Sequence, residues 1–587
     1  MSKITKTYKY LYFNLEKKIK NKLFILLFMM LLAALMEVGS IASLIPFLQK
    51  ILFLDTSKEI LFFDNLLGDF YIYQKYRFFL ITSFFLTFIL LSLIVRLFLL
   101  KFMYSFIKEL GYFFASKIFT KITNLKYLNF TKESSSRYLS ILEQKVDNIV
   151  DLVHMSLEII SSLIILSFIL IALLILNTEI TIFVFAFFIA CYYLLYRKYK
   201  KKMQAVGEDY SLGLTGRMKN IQEIFGSFRL LKLDQLKSKI FFRNRFLNLD
   251  YKIRSSLEIM NFLGNFPRFF VEGVAILFIA FLAFFLIKFK IYEQEIIILS
   301  LGVIGFSVQR LLPLIQRIYF SSALMIAGKD AAYDGVEFLL SEGLEDDEVK
   351  ATIGAQKIKL ENIIYFKNVS FTYKGKKEKN LFTNINLEIK KNSKVCILGK
   401  TGSGKSTFVD LIVGLLKPEK GEVYIDNNNI EDVLQSWHDQ ISYVPQNTFL
   451  LDSTIIENIA FGIDKNEIDL LKIEQSLEIA GLKDFIDELP EKIYTKIGER
   501  GIQLSGGQVQ RLGLARAFYK KFEVLILDES TNALDIETEE KIHANINEKL
   551  NDKTIIVITH KPELSKNFDK IIKIDKGSIE TLENDGE

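Results

Sequence analysis

A glycine-rich stretch in the second half of the chain has the residue types and spacing needed to hold a polyphosphate. Its glycines let backbone N–H groups turn toward phosphates, and a helix N-terminus behind the loop favours negative charge. The stretch runs Gly399-Lys400-Thr401-Gly402-Ser403-Gly404-Lys405-Ser406 and fits G-x-x-x-x-G-K-[ST]. In this pattern Lys405 reaches the β- and γ-phosphates and the Ser406 hydroxyl binds Mg²⁺. Because an apolar strand precedes the loop and a helix follows from Thr407, we expect a nucleoside triphosphate site here.

Two later stretches carry groups suited to a γ-phosphate and to the activation of water. Ser505-Gly506-Gly507-Gln508 presents a hydroxyl, backbone N–H groups and an amide at a helix start, which is an anion site. The apolar strand at 524–528 then delivers Asp528 and Glu529. We expect Asp528 to hold Mg²⁺ through water and Glu529 to orient the attacking water. A simple helix cap is the alternative explanation for the stretch Asp528-Glu529-Ser530-Thr531. It is disfavoured because this stretch occurs together with the phosphate loop and Ser505–Gln508.

Composition limits the class of protein. A chain of 587 residues is too long for one core, so at least two domains are expected. Half of the residues are hydrophobic, 52 are Phe and only 7 are Pro, which favours a membrane protein. The net charge of +6 is modest and the basic residues are dispersed, so we expect no nucleic-acid partner. Two cysteines and four scattered histidines predict neither a disulfide nor a metal cluster.

The first half contains long apolar segments that predict membrane spans. With a cytosolic N-terminus, the Lys- and Arg-rich segments at 101–156 and 197–262 lie on the cytosolic side of the membrane. Both segments are predicted to continue the spans as helices. Regions near 128–136 and 223–228 are candidate turns for docking a nucleotide domain. The six predicted spans are Lys22–Leu48, Phe78–Leu100, Leu157–Leu176, Ile180–Tyr196, Leu263–Ile287 and Ile296–Tyr319.

These patterns divide the chain into three parts. Residues 1–327 are predicted to form a six-helix transmembrane domain with cytosolic helical extensions. An acidic, polar linker is expected at 328–357, and a soluble α/β domain at 358–587. An even number of spans places both termini in the cytoplasm.

Ionisable side chains inside membrane spans are costly and therefore mark candidate functional sites. Arg268 and Glu272 are four residues apart and could pair on one helix face. Arg310 and Arg317 lie two turns apart around Pro313, so both could line one cavity and grip a phosphate or pyrophosphate. Snorkelling or pairing inside the membrane is the alternative for each arginine. The full set is Glu37, Arg96, Arg268, Glu272, Arg310 and Arg317.

Additional short motifs give the chain a resemblance to a known family. Besides the phosphate loop and Ser505–Gln508, they are Tyr443-Val444-Pro445-Gln446, Gly498-Glu499-Arg500-Gly501, Asn532-Ala533-Leu534-Asp535 and Thr559-His560. With these the sequence resembles ATP-binding cassette (ABC) exporters, as a half-transporter. The resemblance implies an α-helical six-span transmembrane domain (type IV, or type I, ABC exporter fold) fused to an α/β P-loop ATP-binding cassette.

The resemblance also implies roles for individual residues. By it, Tyr373 stacks on adenine, Gln446 contacts Mg²⁺ and the attacking water, Asp535 communicates across a dimer, and His560 contacts the γ-phosphate. The sequence departs from the family pattern mildly, with Ser530, Asn532 and Lys561 in place of the more usual Ala, Ser and Arg. None of these changes removes a catalytic side chain, so active ATP hydrolysis with Mg²⁺ is expected.

One chain carries one phosphate loop and one Ser505–Gln508 signature. In the family the signature of one subunit closes on the ATP of the other. The resemblance therefore implies a homodimer, or a heterodimer with a like half-transporter. It also implies a multi-pass protein of the bacterial inner membrane.

The transported substrate is predicted from weaker resemblance. Segments 267–273 and 309–318 are similar to spans of the PglK-type flippases, which move lipid-linked oligosaccharides. That likeness implies that Arg268, Arg310 and Arg317 handle a polyprenyl pyrophosphate. The alternatives are a multidrug, lipid A or peptide exporter, or a non-transporting ATP-dependent regulator built on the same cassette.

Overall fold

The described part of the chain divides into two compact units. They are Met1–Leu125 with Lys132–Gly343, and Lys126–Thr131 with Leu344–Glu587, here called the helical unit and the cassette unit. The computed structural model describes residues 3–52, 71–176, 178–234, 236–288, 294–341, 357–373, 381–561, 568–575 and 577–583.

Long helices make up the helical unit. In chain order the helices of the first half are α1 (Lys3–Asn14), α2 (Lys17–Leu52), α3 (Tyr71–Thr123), α4 (Tyr127–Thr131), α5 (Ser135–Ser140), α6 (Val146–Leu176), α7 (Thr178–Gly226), α8 (Phe228–Leu233), α9 (Lys237–Lys288) and α10 (Gln294–Leu340). A π-helical turn at Ile141–Lys145 joins α5 to α6. Six of these helices are long enough to carry one predicted span each, which confirms the predicted architecture.

Several helices expose large apolar side chains along a face, as a lipid-facing helix does. On α3 these include Phe79, Leu90, Leu97 and Phe98. Within the described residues, four helical stretches are long and apolar enough to cross a membrane: Lys17–Leu48, Phe78–Thr123, Ser135–Ile175 and Val308–Leu340. The predicted spans at 180–196 and 263–287 lie on α7 and α9, which include side chains outside the described set.

The predicted turns are found near their expected places. Helix α6 ends at Leu176 and α7 begins at Thr178, so a single residue separates these two long helices in the chain. Short helices α4 and α8 occupy the two regions between long helices where docking turns were expected. The polar segments at 101–156 and 197–262 are helical over most of their length, because their buried apolar residues recur with helical spacing.

The first predicted domain boundary differs from the structure. Helix α10 continues to Leu340, past the predicted linker start at residue 328. The cause is packing, since Ala331, Ala332 and Val336 are buried in the helical unit. The acidic part of the predicted linker lies mostly outside the described residues.

Close helix contact is permitted by one glycine in particular. A Cβ atom on Gly207 of α7 would lie 2.3 Å from the carbonyl oxygen of Ala327 on α10. Any larger side chain would push these helices apart. The two helices can therefore approach only because position 207 has no side chain.

Two sheets and several helices form the cassette unit. Its strands are β1 (Ile363–Phe371), β2 (Phe382–Lys390), β3 (Lys394–Gly399), β4 (Lys420–Ile425), β5 (Asn428–Asn429), β6 (Ile441–Val444), β7 (Val524–Asp528), β8 (Thr554–Thr559), β9 (Lys570–Asp575) and β10 (Ser578–Glu583). Its helices are α11 (Lys405–Val413), α12 (Leu434–Asp439), α13 (Ile455–Ile459), α14 (Leu470–Ile479), α15 (Lys483–Asp487), α16 (Gly506–Tyr519) and α17 (Ile536–Lys549).

The strand order explains where the functional residues lie. An antiparallel sheet has the order β2-β1-β4-β5, and a second sheet has the order β10-β9-β3-β8-β7-β6. Strands β3, β8, β7 and β6 run parallel, so their carboxyl ends share one edge. The buried residues of β7 are all apolar until Asp528, as expected for a strand covered on both faces. This edge collects the polar side chains that follow each strand.

Candidate functional site

The phosphate loop lies between β3 and α11, as its sequence predicts. Gly404 precedes the helix with a φ of +107°, a left-handed conformation that favours glycine. The Lys405 ammonium is buried and donates to the carbonyl oxygen of Gly399 at 2.8 Å. It also lies 3.5 Å from Glu529 Oε1. The loop residue Lys405 and the candidate base Glu529 therefore meet at the same edge of the sheet.

Glu529 is held by three neighbouring groups in an unusual backbone conformation. Gln446 Nε2 donates to its Oε2 at 2.8 Å, and Asn532 Nδ2 donates to the same oxygen at 3.3 Å. Its φ is +47°, which costs a residue other than glycine about 1–2 kcal/mol. Its backbone N–H donates to the Ile558 carbonyl at 3.1 Å, which fixes this conformation. These hydrogen bonds therefore hold the Glu529 carboxylate in place, although the backbone conformation at this residue is unfavourable.

The neighbouring Asp528 lies in a drier environment. Burial raises the pKa of its carboxyl, and a hydrogen bond from the Tyr443 hydroxyl at 3.1 Å opposes that rise. Burial and the negative charge of Asp528 also raise the pKa of the Asp410 carboxyl on α11 to about 6. Crowded carboxylates of this kind form a favourable place for a divalent cation.

We expect Asp410→Asn to stabilise the cassette at pH 7.5 and to have little effect at pH 4. The folded pKa of about 6 exceeds the ordinary value of 3.8, so folding favours the protonated form. The stability that Asp410 contributes is therefore present when the pH is below its pKa in the unfolded chain. It is lost as the pH rises toward its pKa in the folded chain. Thermal unfolding of the full chain at the two pH values measures the difference.

Asp552→Asn serves as the control for that measurement, because Asp552 is exposed in the turn before β8. A gain from Asp410→Asn that is the same at both pH values would contradict the stated cause.

Most of the predicted nucleotide-binding residues line a single cavity of about 670 Å³. The Tyr373 hydroxyl also lies 3.0 Å from Thr407 Oγ1, next to the loop. The lining includes Leu381 and Gly577, which the sequence motifs did not single out. The predicted residues in the lining are Tyr373, Thr401, Gly402, Ser403, Gly404, Lys405, Ser406, Thr407, Gln446, Asp528 and Glu529.

The signature is not part of this cavity within one chain. Ser505 caps α16, and its Oγ accepts from the Gln508 N–H at 3.3 Å while Gln508 Oε1 accepts from the Ser505 N–H at 2.7 Å. This reciprocal pair fixes the helix N-terminus, with Gly506 exposed and Gly507 half-buried in its first turn. None of these residues lines the cavity.

Gly399 and Lys400 of the loop, and two further predicted residues, also lie outside the cavity lining. Asp535 caps α17, and its Oδ2 accepts from the Thr538 N–H at 3.0 Å, a hydrogen bond that lowers its pKa. His560 is exposed and directly follows β8. The contact of Asp535 across a dimer and the contact of His560 with a γ-phosphate stay predictions.

The donor set fits a nucleoside triphosphate with Mg²⁺. Ser403 Oγ is buried without a hydrogen-bond partner among the described residues, so a phosphate oxygen would satisfy it. The Ser406 hydroxyl, the Gln446 amide and the Asp528 carboxylate line the same cavity and are oxygen ligands of the kind that Mg²⁺ prefers.

Sequence reasoning missed several groups that position the catalytic edge. Tyr443 was read only as a neighbour of Gln446, although its hydroxyl contacts Asp528. Glu539 of α17 is buried and accepts from Thr531 Oγ1 and Lys561 Nζ, both at 2.7 Å. It thereby links the segments that follow Glu529 and His560. The sequence signal that could have identified Glu539 is an acidic residue on the face of a helix that is otherwise apolar and buried.

A second site lies in the helical unit. A cavity of about 340 Å³ is lined by Arg96, Arg310 and Arg317, together with Ser92 and Glu158. Arg310 and Arg317 thus share one cavity, as their spacing predicts. Arg96 joins them from α3, where it forms an ion pair with Glu37, one of the two alternatives that the sequence offered for this arginine.

Arg268 is not brought into that cavity. Its guanidinium lies over the Phe269 ring, 5.9 Å from the ring centre. The cavity lining contains neither Arg268 nor Glu272, and no ion pair between these two residues lies among the described contacts. The predicted role of Arg268 in substrate binding stays a prediction.

Known proteins resemble both parts of this arrangement. The family model of the ABC transporter domain (ABC_tran) matches residues 382–532. An ATP-dependent lipid A-core flippase of Ralstonia nicotianae is 36% identical over 254 residues, which are 42% of this chain and 43% of that protein. A putative export ATP-binding/permease protein of Rickettsia bellii is 38% identical over 37% of each chain. The chain thus spans less than half the length of these curated relatives in the alignments.

A solved structure extends the likeness to nearly the whole chain. A bacterial Atm1-family ABC exporter with ATP bound superposes with a TM-score of 0.74 over 96% of this chain and 95% of that one. At 18% identity this likeness shows the fold. The chain therefore has the fold of an ABC exporter, with an ABC transporter domain match at residues 382–532 and a helical region that contains four candidate membrane spans among the described residues.

Proposed function

We propose that the protein is an ATP-driven exporter that moves a lipid with a phosphorylated head group across the bacterial inner membrane. The observation that carries the motor part of this proposal is the shared cavity of the phosphate loop, Asp528 and Glu529 at one sheet edge. Both termini lie in the cytoplasm in this proposal, because ATP is cytoplasmic.

The residues of the cavity have separate tasks in ATP hydrolysis. Lys405 and the loop N–H groups hold the β- and γ-phosphates, and the ring of Tyr373 stacks on the base. Ser406, Gln446 and Asp528 would hold Mg²⁺, which when bound would neutralise charge on the phosphates. Glu529, aimed by Gln446 and Asn532, accepts a proton from the attacking water.

Two copies of the chain complete each ATP site in this proposal. The capped N-terminus of α16 offers N–H groups and the Ser505 hydroxyl to an anion, yet it does not line the cavity of its own chain. A second copy can supply this surface to the γ-phosphate, and a two-fold arrangement then makes two such sites. A heterodimer with a like half-transporter would use the same geometry.

The segment between α3 and α5 is suited to transmit movement of the cassette. Lys126–Thr131 belongs to the cassette unit, although the chain before and after it belongs to the helical unit. Leu128 packs against the apolar core that contains the buried ring of Phe408 on α11. Movement of α11 when ATP binds would therefore pull on the helices attached to α4.

The curated relatives favour lipid A over a lipid-linked oligosaccharide as the substrate. The Ralstonia relative is named as an ATP-dependent lipid A-core flippase. Lipid A carries phosphates on a disaccharide with several acyl chains, which suits arginines beside exposed apolar side chains. Leu93 and Leu97 of α3 are exposed and line the same cavity as Arg310 and Arg317.

A polyprenyl-pyrophosphate glycan is the second candidate, favoured by the same arginine cavity because a pyrophosphate can engage several guanidinium groups. Proteoliposomes with labelled lipid A-core or labelled polyprenyl-pyrophosphate glycan separate the candidates. We expect ATP-dependent flipping of lipid A-core and stimulation of hydrolysis by it. Transport of uncharged amphiphiles alone would overturn the proposed head-group recognition.

The role of Tyr373 can be tested by nucleotide binding. Tyr373→Leu removes the aromatic face, and loss of a base stack of about 1–3 kcal/mol predicts affinity for ATP that is weaker by about 5- to 150-fold. Tyr373→Phe is the matched control, because it loses only the contact with Thr407 and keeps the ring. Equal ATP affinity in wild type and Tyr373→Leu, measured by equilibrium titration, would refute stacking.

A further inference from the structure

A single buried carboxylate joins three helices at the arginine cavity. Glu37 of α2 has a side chain that is only 2% exposed. Its Oε1 accepts from Arg96 Nη1 of α3 at 2.9 Å, and its Oε2 accepts from Arg310 Nη1 of α10 at 3.0 Å. Burying a carboxylate is costly without such partners, so the two arginines stabilise Glu37 in its buried position.

The two arginines face the cavity, whereas Glu37 lies behind them. Arg96 and Arg310 keep 39% and 24% of their side chains exposed and line the cavity, and Glu37 does not line it. Ser92, one turn before Arg96, also lines it, and its buried Oγ has no hydrogen-bond partner among the described residues. An oxyanion in the cavity would meet guanidinium groups and this unused hydroxyl donor.

The charges around the cavity leave an excess of positive charge. Among the described residues, three arginines stand against two carboxylates, Glu37 and Glu158. Glu158 is engaged elsewhere, because its Oε2 accepts from Ser321 Oγ at 2.8 Å and its Oε1 lies 3.8 Å from His154 Nε2. No ion pair of Arg317 lies among the described contacts, so its charge is available to an incoming anion.

We propose that Glu37 is an internal anion that competes with the phosphate of the transported lipid for Arg96 and Arg310. This inference rests on the proposed function and adds a regulatory element to its substrate site. The phosphate approaches Arg317, then engages Arg96 and Arg310, which it can bind bidentately and with more charge than a carboxylate carries. Glu37 gives up its ion pairs as the head group forms its own.

This exchange gives the exporter a means of releasing its cargo. While a phosphate occupies the arginines, the ion pairs that tie α2 to α3 and α10 are weakened, so these helices can separate. When the helices return to the arrangement in this structure, Glu37 pairs again with Arg96 and Arg310. The phosphate then loses its partners, so binding is weaker in that arrangement.

Lipid binding to a Glu37→Gln variant tests the competition. The full-length protein is placed in nanodiscs without nucleotide, and its affinity is measured for lipid A and for chemically dephosphorylated lipid A. We expect Glu37→Gln to bind lipid A about tenfold more tightly than wild type, because the competing charge is gone. Affinity for the dephosphorylated probe should stay the same in both proteins.

Three further variants sharpen the test. The double variant Glu37→Gln/Arg96→Gln should lose the gain, since the gain acts through the arginines. Glu37→Asp keeps the charge on a shorter side chain and should give a smaller gain, and this variant carries the test if Glu37→Gln does not fold. Glu109→Gln is the control on α3, because Glu109 pairs with Lys22 away from the cavity lining.

Unchanged or weaker binding of lipid A by Glu37→Gln would overturn the inference, because Glu37 would then only hold the arginines in place. Failure of every protein to prefer lipid A over its dephosphorylated form would overturn both the inference and the proposed head group. An ATPase-inactive wild type with the expected binding pattern would overturn the proposed motor and leave the competition established.

Discussion

Replacing Glu529 with glutamine should reduce ATP hydrolysis by about 10²- to 10⁴-fold, the usual contribution of a general base. The amide has the same shape, so the contacts from Gln446 and Asn532 to position 529 persist in part, but it cannot accept the proton of the attacking water. ATP binding should persist, since the loop from Gly399 to Ser406 is untouched. Phosphate release and equilibrium ATP binding, measured on the same protein, check both statements.

Glu537→Gln provides the matched control, because Glu537 is exposed in the first turn of α17. It should hydrolyse ATP at the wild-type rate. Normal turnover by Glu529→Gln would show that another group activates the water, and the role of the strained carboxylate would have to be abandoned.

Arg310→Ala and Arg317→Ala should each reduce flipping of a phosphorylated lipid by at least about tenfold. Each change removes a charge-assisted contact, typically worth about 1.5–3 kcal/mol. The lipid should also stop stimulating hydrolysis in these variants, whereas ATP should still bind, because both arginines belong to the helical unit. Fluorescent-lipid flipping in proteoliposomes measures the first effect.

Arg268→Ala is the informative comparison for that series. The sequence grouped Arg268 with the other two arginines, but the structure places only Arg310 and Arg317 on the cavity. We therefore expect near-normal flipping from Arg268→Ala. If all three variants flip phosphorylated lipid normally, head-group recognition by these arginines is refuted.

The cassette could be predicted closely because its function depends on short, local patterns. The stretch from Gly399 to Ser406 requires a strand before it and a helix after it, and both are present. The strand before Asp528 is apolar throughout and is buried as expected. Such motifs carry their own structural context, so no knowledge of distant contacts was needed to place them.

Contacts between residues far apart in the chain were the part that could not be predicted. Arg96 and Arg310 are separated by most of the helical unit, and only the packing of α2, α3 and α10 brings both to Glu37. The rotation of each helix about its axis decides which ionisable groups meet, and a single sequence does not specify it. The same limit hid the hydrogen bond between Tyr443 and Asp528.

The end of α10 illustrates a boundary error with a physical cause. Gly328 and the polar residues after it resemble the start of a linker, yet alanines at 331 and 332 are buried and continue the helix. Composition reports average polarity, whereas helix ends depend on which face is covered.

We expect ATP to be hydrolysed at a site shared between two copies of the chain. Lys405→Ala removes the phosphate-binding ammonium, and Ser505→Arg blocks the signature, so each variant alone should be inactive. Mixed dimers of the two variants contain one site in which the intact phosphate loop of one copy faces the intact signature of the other.

Hydrolysis by the co-expressed, doubly tagged mixed dimer is therefore the decisive measurement. We predict recovery of up to about half the wild-type rate, because one of two sites per dimer is complete. A mixed dimer as inactive as its parents, with both chains folded and both tags present, would contradict a site shared between copies.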